Sequence, residues 1–329
     1  MSEPKTYAYI DYYNLMHRNA HMSGKMSDIE EKTGMMIHSM LTAISYLKTQ
    51  LKVDHVIICS DKSSWRKKVY PEYKLNRVTK RLKKSIREQE DDQKIFEAAT
   101  DLFEFLSKQT RLPCVMVHGA EADDIIATHI LDKPHDHHII VSTDSDFYQL
   151  VNERVFIFNP TEKLYITIHG YFNEKFEKVM DKSGNHRHLG DPEWHLFQKC
   201  IRGDSSDNIK TSYPFVRTKG TKNKVGLTEA FEDRHNQTYA WLAIMEHEWE
   251  DGFGNKHLVK DLYQRNKQLI DLRNTPEDIK DLIREATEEQ FNKREYMQGE
   301  KVGFAFAKFC YKWTLTALFE RSSSFQDVI

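Results

Sequence analysis

Acidic residues follow directly on several predicted β-strands of this chain, and no other sequence feature constrains its fold as strongly. Three short apolar runs are each followed by an aspartate, at Asp11, Asp61 and Asp144. In an open α/β sheet the carboxyl ends of the strands line one crevice. Because successive strands end at the same edge of such a sheet, we expect these carboxylates to converge.

The N-terminal half alternates predicted strands with predicted helices. Apolar residues at helical spacing occupy 36–51 and 95–106, between the strands. Several strands are continuous apolar runs, which are typical of a sheet covered on both faces. Strands are predicted at residues 7–10, 56–60, 114–117, 138–142 and 155–159. This order predicts an α/β fold with a mostly parallel central sheet flanked by helices.

The second half contains only predicted helices, at residues 193–202, 228–250, 258–272, 276–289 and 303–319. A length of 329 residues fits two domains. We place the boundary in the polar turn region that begins at Asp181, which gives an α/β domain over residues 1–185 and a smaller all-helical domain over residues 186–329.

Nine carboxyl groups form a candidate metal site. They are Asp11, Asp61, Glu121, Asp123, Asp124, Asp144, Asp146, Asp204 and Asp207. A single aspartate at a strand end is more often a helix cap or a turn residue. Converging carboxylates, however, repel one another by roughly 4 kcal/mol per pair at about 4 Å and an effective dielectric near 20, so the cluster indicates bound cations. Oxygen ligands without cysteine favour Mg²⁺ or Mn²⁺.

A basic segment follows the second of these strands. Ten basic residues lie between positions 66 and 87, with Glu72 as the single acid, although the formal net charge is only −2. The segment shows little apolar periodicity, so we expect a mobile, partly helical excursion that becomes ordered on a polyanion. Trp65, Tyr70 and Tyr73 offer ring faces on which bases stack. A solvated charged helix without a ligand is the alternative.

The composition favours a soluble cytoplasmic protein. No apolar run approaches the roughly 18 residues of a membrane span, and the N-terminus lacks a signal-peptide pattern. We therefore expect a cytoplasmic protein without membrane association. The four cysteines have no paired spacing and are predicted to be small core residues, at Cys59, Cys114, Cys200 and Cys310.

Five short motifs occur in one order along the chain, over roughly residues 7–231. They are Tyr9-Ile10-Asp11, Tyr73-Lys74-x-Asn76-Arg77, Glu121-Ala122-Asp123-Asp124, Ser142-Thr143-Asp144-Ser145-Asp146-Phe147 and Gly203-Asp204-Ser205-Ser206-Asp207-Asn208. Each motif is weak alone. Together they resemble the 5′ nucleases, the family that includes flap endonucleases and, as the most similar members, the ribonuclease H enzymes of T-even type bacteriophages.

The resemblance implies a fold of the PIN and 5′-nuclease type. Residues 1–185 would form the nuclease domain, with a basic helical arch at about residues 62–94. The helical domain would bind DNA, through a helix-turn-helix-like region that contacts the duplex at about residues 193–235.

The resemblance also implies an activity. It is that of a Mg²⁺-dependent 5′-to-3′ exonuclease and flap endonuclease with ribonuclease H activity, which uses two ions that Mn²⁺ can replace. The substrates would be DNA and RNA–DNA duplexes with a free 5′ strand and 5′ flaps, cut to leave 5′-phosphates. The role would be removal of lagging-strand RNA primers in phage replication, with a replication clamp or a single-strand-binding protein as protein partner. The protein is expected to be a monomer, in the host cytoplasm if a phage encodes it.

Roles follow for individual residues. Asp11, Asp61, Glu121, Asp123 and Asp144 match the acids around the first ion; Asp146, Asp204 and Asp207 match those around the second, and Asp124 supports the cluster. Lys74 and Arg77 match cations at the scissile phosphate and join Asp144 as catalytic residues. Tyr73 would stack on a terminal base. Further contacts to nucleic acid are assigned to Arg66, Lys80, Arg81, Lys83, Lys84, Arg217, Lys219, Lys222 and Lys224.

One departure from the family pattern and three alternatives remain. Many members carry a glycine-rich turn that binds a monovalent ion, whereas this chain has a basic stretch at residues 213–226. The sequence therefore does not predict a monovalent-ion site at this position. An inactive relative that binds branched nucleic acid is one alternative. A small PIN-type nuclease would lack the arch and the helical half, and a phosphatase would not need the arch.

Overall fold

A central sheet carries the elements that position the acidic residues. The computed structural model describes residues 3–22, 28–296 and 299–320. The strands are β1 (Thr6–Asp11), β2 (His55–Ser60), β3 (Cys114–Met116), β4 (His137–Val141), β5 (Val155–Asn159), β6 (Leu164–Thr167) and β7 (Gly170–Asn173). They lie in the order β3-β2-β1-β4-β5-β6-β7. The pairs up to β5 are parallel, and β6 and β7 are antiparallel. The mostly parallel sheet is therefore confirmed.

Helices flank this sheet and continue beyond it. They are α1 (Tyr12–Met22), α2 (Ile29–Leu51), α3 (Arg66–Val69), α4 (Leu75–Leu82), α5 (Ile86–Gln109), α6 (Ala122–Asp132), α7 (Pro192–Arg202), α8 (Leu227–Glu232), α9 (Tyr239–Met245), α10 (Val259–Ile270), α11 (Glu277–Tyr296), α12 (Gly299–Lys312) and α13 (Thr316–Glu320). Short 3₁₀ helices cover Ser145–Leu150 and Leu272–Asn274. Side-chain caps fix where two long helices begin, at Asp28 before α2 and at Ser85 before α5.

Alternate residues of the buried strands face two separate cores. Ala8 and Ile10 of β1 pack with helices α2 and α5, whereas Tyr7 and Tyr9 pack with α6 on the opposite face. This arrangement explains why the strands read as continuous apolar runs, since both faces are covered. The five predicted strands are confirmed, whereas β6 and β7, with four residues each, carried too little pattern to be predicted.

The second half is largely helical but not all-helical, which corrects the prediction. The predicted helix over 228–250 is broken, because α8 ends at Glu232 and the carboxylate of Asp233 accepts hydrogen bonds from the Thr238 hydroxyl and the Trp241 amide. A two-stranded hairpin follows α9, with β8 at Glu248–Glu250 and β9 at Lys256–Leu258. Turn chemistry at Asp233 thus outweighs helical periodicity.

The last helices return to the central sheet. Ile279 and Ile283 of α11 lie in the core that contains Tyr9, while Phe306 and Phe309 of α12 lie in the core on the other face. Helices α7 and α8 have a core of their own with α9 and α10. The division of the chain at residue 185 stays a prediction.

The basic segment contains α3, α4 and the start of α5. Leu75, Val78 and Leu82 lie on one face of α4 and are at least half exposed. The expectation that this segment carries almost no apolar face is therefore wrong for α4. The Lys74 amide donates to the carbonyl of Asp207 at 2.9 Å, which attaches the start of α4 to the second half of the chain. Whether the segment is mobile without nucleic acid stays a prediction.

Two further expectations concern the cysteines and the membrane. All four cysteines are buried and unbridged, as predicted. Among the helices that the structure describes, none has the length and the apolar character that crossing a membrane requires.

Candidate active site

Four predicted acids lie at the carboxyl ends of adjacent strands. Asp11 is the last residue of β1, and Asp61 and Asp144 follow β2 and β4 within three residues. Glu121 follows β3 and caps the start of α6. Since β3, β2, β1 and β4 are neighbours in the sheet, these side chains meet at one edge. The Ala122 amide donates to Asp61 at 2.6 Å, which connects the ends of β2 and β3.

Three more acids come from outside the strands. Asp146 lies in the 3₁₀ helix after β4, whereas Asp204 and Asp207 lie in a tight turn after α7. Reciprocal backbone hydrogen bonds of 2.8 and 2.7 Å between Asp204 and Ile209 close this turn. Gly203 enters the turn at a φ of +75°, and a Cβ there would lie 2.3 Å from the Ile209 carbonyl oxygen. The turn therefore requires glycine at this position.

The acids form two compact groups. Glu121, Asp123 and Asp124 make one, and Asp146, Asp204 and Asp207 make the other; within each, one oxygen per residue lies within 4.8 Å of the others. The second group has the composition expected for the second ion. The first group differs from expectation, because it includes Asp124 while Asp11, Asp61 and Asp144 lie outside it.

Arg66 belongs to this cluster and does not face solvent, which corrects its assignment as a nucleic-acid contact. The residue is 1% exposed, and its guanidinium donates to Asp124 at 2.9 and 3.0 Å and to Glu121 at 3.0 Å. Its Nε donates to the Leu269 carbonyl at 2.7 Å. The strongly basic segment thus begins with a residue that neutralises buried carboxylates. Asp124 is fully buried, and its carboxylate accepts hydrogen bonds from Arg66 and, at 2.8 Å, from the Thr275 hydroxyl.

Tyr73 is also buried, at 3% exposure, which contradicts its predicted stacking on a terminal base. Its hydroxyl lies 2.8 Å from both Glu121 and Asp207. A phenol has one proton and can donate to only one carboxylate at a time. Tyr73 therefore joins the two acidic groups, and its ring cannot reach a base in this conformation.

Lys74 and Arg77 both pair with these acids, whereas their contact with a scissile phosphate stays a prediction. The ammonium of Lys74 pairs with Glu121 and lies 3.8 Å from Asp207. The Arg77 guanidinium pairs with Asp207 at 2.7 Å and stays more than half exposed. Sequence reasoning missed one further cation, Lys199 of α7, which pairs with Asp146 and lies 2.7 Å from Asp204.

Burial leaves several of the carboxyl groups with raised pKa values. Burial raises the pKa of Asp11 to about 7, and the charge of Asp61 adds to this effect. Burial likewise raises the pKa values of Asp61, Asp123 and Asp144. Burial also acts to raise the pKa of Glu121, but the charges of Lys74 and Arg66 outweigh it and lower that pKa.

The donor set fits divalent metal ions. It consists of carboxylate oxygens from nine residues, and hard cations such as Mg²⁺ and Mn²⁺ prefer such ligands. Among the described residues, four basic side chains form ion pairs with these acids: Arg66, Lys74, Arg77 and Lys199. Nine ionised carboxylates less four cations leave five negative charges. Divalent cations would compensate this remaining negative charge.

Exposed cations lie in two segments of the chain. One set lies on and after α4, at Lys80, Arg81, Lys83 and Lys84; the other lies between α7 and α8, at Arg217, Lys219, Lys222 and Lys224. In this second segment the amides of Gly220 and Gly226 both donate to the carboxylate of Glu229, at 2.9 to 3.1 Å. These two amides are thus occupied by the protein itself, so the exposed side chains are the groups available to phosphate.

Comparison with known proteins identifies the relatives of this chain. Residues 6–182 match the 5′-3′ exonuclease N-terminal resolvase-like domain. The flap endonuclease of Escherichia phage T5 is 29% identical over 176 residues, which are 52% of this chain and 56% of that protein. The chain thus matches little more than half the length of this relative. A 5′-3′ exonuclease of Buchnera aphidicola subsp. Schizaphis graminum is 26% identical over 235 residues, 70% of this chain and 69% of the relative.

Solved structures of the phage T5 protein share the fold. A crystal structure of that protein with metal ions superposes with a TM-score of 0.60 at 20% identity, over 88% of this chain and 99% of that one. A complex of the T5 flap endonuclease with DNA and metal ions gives a TM-score of 0.60 at 20% identity, over 88% and 100% of the two chains.

The raised pKa of Asp11 predicts how pH changes the stability of the metal-free protein. The folded carboxyl keeps its proton until about pH 7, whereas the ordinary value is 3.8. The destabilising effect of Asp11 therefore grows as the pH rises from about 4 to about 7 and is complete above that range. We expect Asp11→Asn to raise the melting temperature in chelator, and to raise it more near pH 8 than near pH 5.

Thermal unfolding in chelator measures this effect, with Glu153→Gln, an exposed acid remote from the site, as the matched control. A variant that is no more stable than the wild type near pH 8 would contradict the raised pKa.

Proposed function

The chain belongs to the 5′-3′ exonuclease family, whose N-terminal domain matches more than half of it, and we propose that it is a two-metal-ion 5′ nuclease. Its substrates are DNA and RNA–DNA duplexes with a free 5′ strand and 5′ flaps, and its products carry 5′-phosphates. Ribonuclease H activity and removal of lagging-strand RNA primers in phage replication are part of this proposal.

One observation carries the proposal: nine carboxyl groups converge, and among the described residues four cations pair with them. If the cluster had only a structural role, the repulsion among its carboxylates would lower the stability of the folded protein with nothing to offset it. A catalytic role explains the surplus, because the charge is compensated when cations bind. The two compact groups of acids supply places for two ions.

The two ions would be held by separate sets of acids, and these assignments remain proposals. One ion would be bound by Asp11, Asp61, Glu121, Asp123 and Asp144. The other would be bound by Asp146, Asp204 and Asp207. Bound Mg²⁺, or Mn²⁺ in its place, would neutralise phosphate charge and activate water for in-line hydrolysis. Because the nucleophile is water and not the 2′-hydroxyl, one site can cut both RNA and DNA strands.

Residues of the chain itself would place the phosphate. Lys74 and Arg77 lie at the acidic edge and are paired with carboxylates that metal ions would neutralise. Their cations would then be available to the scissile phosphate, where negative charge develops in the transition state. The exposed cations at residues 80–84 would hold the free 5′ strand, and those at residues 217–224 would hold the duplex.

An inactive relative that only binds branched nucleic acid is the second candidate. The exposed basic surfaces favour binding in either case, so cleavage must separate the two. A replication clamp or a single-strand-binding protein remains the proposed protein partner, and a monomer the proposed state.

The proposed function predicts metal-dependent cleavage. Labelled 5′-flap DNA and a labelled RNA–DNA hybrid should release short 5′ products in Mg²⁺ and none in chelator. Asp144→Asn should reduce turnover by at least about 100-fold while substrate affinity changes little, since it removes charge from the metal site and leaves the basic surfaces intact. Glu153→Gln serves as control. Tight binding without cleavage by the wild type would favour the inactive relative.

Another prediction separates catalysis from binding within the basic segment. Lys74→Ala should lower the single-turnover rate far more than the affinity, because its cation acts on the transition state. Lys80→Ala should mainly weaken binding and reduce the slope of affinity against salt by about one unit. Single-turnover rates of Lys74→Ala that equal those of the wild type at saturating enzyme would falsify the catalytic role.

A further inference from the structure

One aromatic side chain is held fully in solvent by the segment between α7 and α8. Phe215 is 101% exposed, and its backbone has a φ of +62°. The left-handed region is unfavourable for a residue with a bulky side chain. An exposed phenyl ring forgoes the stabilisation that burial gives. Phe215 therefore combines two unfavourable features at one position.

The residues before Phe215 are fixed to the protein. Ser212 is completely buried, and its hydroxyl donates to the Cys200 carbonyl at 2.8 Å and accepts from the Asn266 amide at 3.0 Å. The Trp249 indole donates to the Ser212 carbonyl at 2.9 Å. The ring of Tyr213 stacks on His247 with centroids 4.4 Å apart. The base of the segment is therefore anchored to α7, α10 and the hairpin.

The residues after Phe215 are anchored as well. Arg202 of α7 donates to the Thr218 hydroxyl at 2.7 Å. The amides of Leu227 and Thr228 donate to the carbonyls of Arg217 and Thr218 at 3.0 and 2.9 Å. Anchors on both sides mean that the phenyl ring projects from a fixed support, so that contact with a ligand would require little ordering of the backbone.

The basic residues around Phe215 favour a polyanionic partner. Residues 213–226 carry Arg217, Lys219, Lys222 and Lys224 and contain no acid. Phe253, at the tip of the β8–β9 hairpin, is comparably exposed at 93% but stands next to acidic residues at 250 and 251. The two rings thus differ in electrostatic setting, and only that of Phe215 suits a partner with both phosphates and aromatic faces.

We propose that Phe215 is a base-contacting residue, which stacks on a nucleobase of the strand whose phosphates the cations at residues 217–224 hold. The inference rests on the proposed function for the nature of the substrate. It goes beyond phosphate contacts, because stacking adds affinity that does not depend on counterion release. Stacking on an unpaired base or at the end of a duplex is sequence-tolerant, since every base has an aromatic face.

Binding without cleavage tests this inference. The probe is a fluorescently labelled 5′-flap DNA, titrated in chelator at several salt concentrations and followed by anisotropy. Phe215→Ala should weaken binding by about 5-fold to 100-fold at every salt concentration, with an unchanged salt slope. Phe215→Tyr should restore affinity to within about 2-fold, since its ring also stacks. Phe253→Ala should bind like the wild type, and Lys219→Ala should lower the slope by about one unit.

Thermal unfolding separates this role from a structural one. Because the ring makes no buried contact, Phe215→Ala should melt at the wild-type temperature or above it. Equal affinities of Phe215→Ala and the wild type would overturn the inference. A loss of affinity that follows a lower melting temperature, or a changed oligomeric state without a change in DNA affinity, would overturn it too.

The proposed function can fail separately. Binding that depends on Phe215, in a protein that does not cleave the flap in Mg²⁺, would support the inference and reject the nuclease. Cleavage of the flap by a protein whose DNA affinity is unchanged by Phe215→Ala would support the nuclease and reject the inference about Phe215.

Discussion

Mutual repulsion among carboxylates at one edge of the sheet is the constraint on which the rest of this structure depends. Parallel strands bring Asp11, Asp61 and Asp144 to that edge, and burial makes their ionisation unfavourable. Cations from several helices and loops pair with these acids, and the buried Arg66 is the clearest case. Removing one partner of such a buried pair typically costs about 3 to 5 kcal/mol, so this cluster also fixes the base of the basic segment.

Helix α7 connects the acidic edge to the outer basic surface. Lys199 pairs with Asp146 and Asp204, and Arg202, one turn further on, holds the segment that carries Phe215. The turn that begins at Gly203 then places Asp204 next to Lys199 and Asp207 next to the Tyr73 hydroxyl. One short helix and its C-terminal turn therefore position Asp204 and Asp207 relative to the proposed duplex-binding surface.

The sequence predicts much of the fold but only part of the site. Continuous apolar runs predict strands that are covered on both faces, and the acids that follow these runs predict a cluster at one edge of the sheet. The predicted nucleic-acid contact of Arg66 is wrong, because in the sequence a cation that pairs with buried carboxylates cannot be distinguished from the exposed cations of the same basic segment. The stacking prediction for Tyr73 is wrong because an aromatic residue within a basic run shows the same sequence pattern whether its ring is exposed or, as here, buried against the acids. Lys199 lies on an ordinary amphipathic helix, and only the three-dimensional fold places it next to Asp146.

Metal stoichiometry tests the central claim, that these acids are arranged for two divalent ions. Calorimetric titration of the metal-free protein with Mn²⁺ should show two bound ions, and Asp207→Asn should weaken one of the two sites while leaving the other intact. Glu153→Gln should bind both ions like the wild type. Absence of Mn²⁺ binding at millimolar concentration, or binding that Asp207→Asn and Asp11→Asn both leave unchanged, would contradict the account.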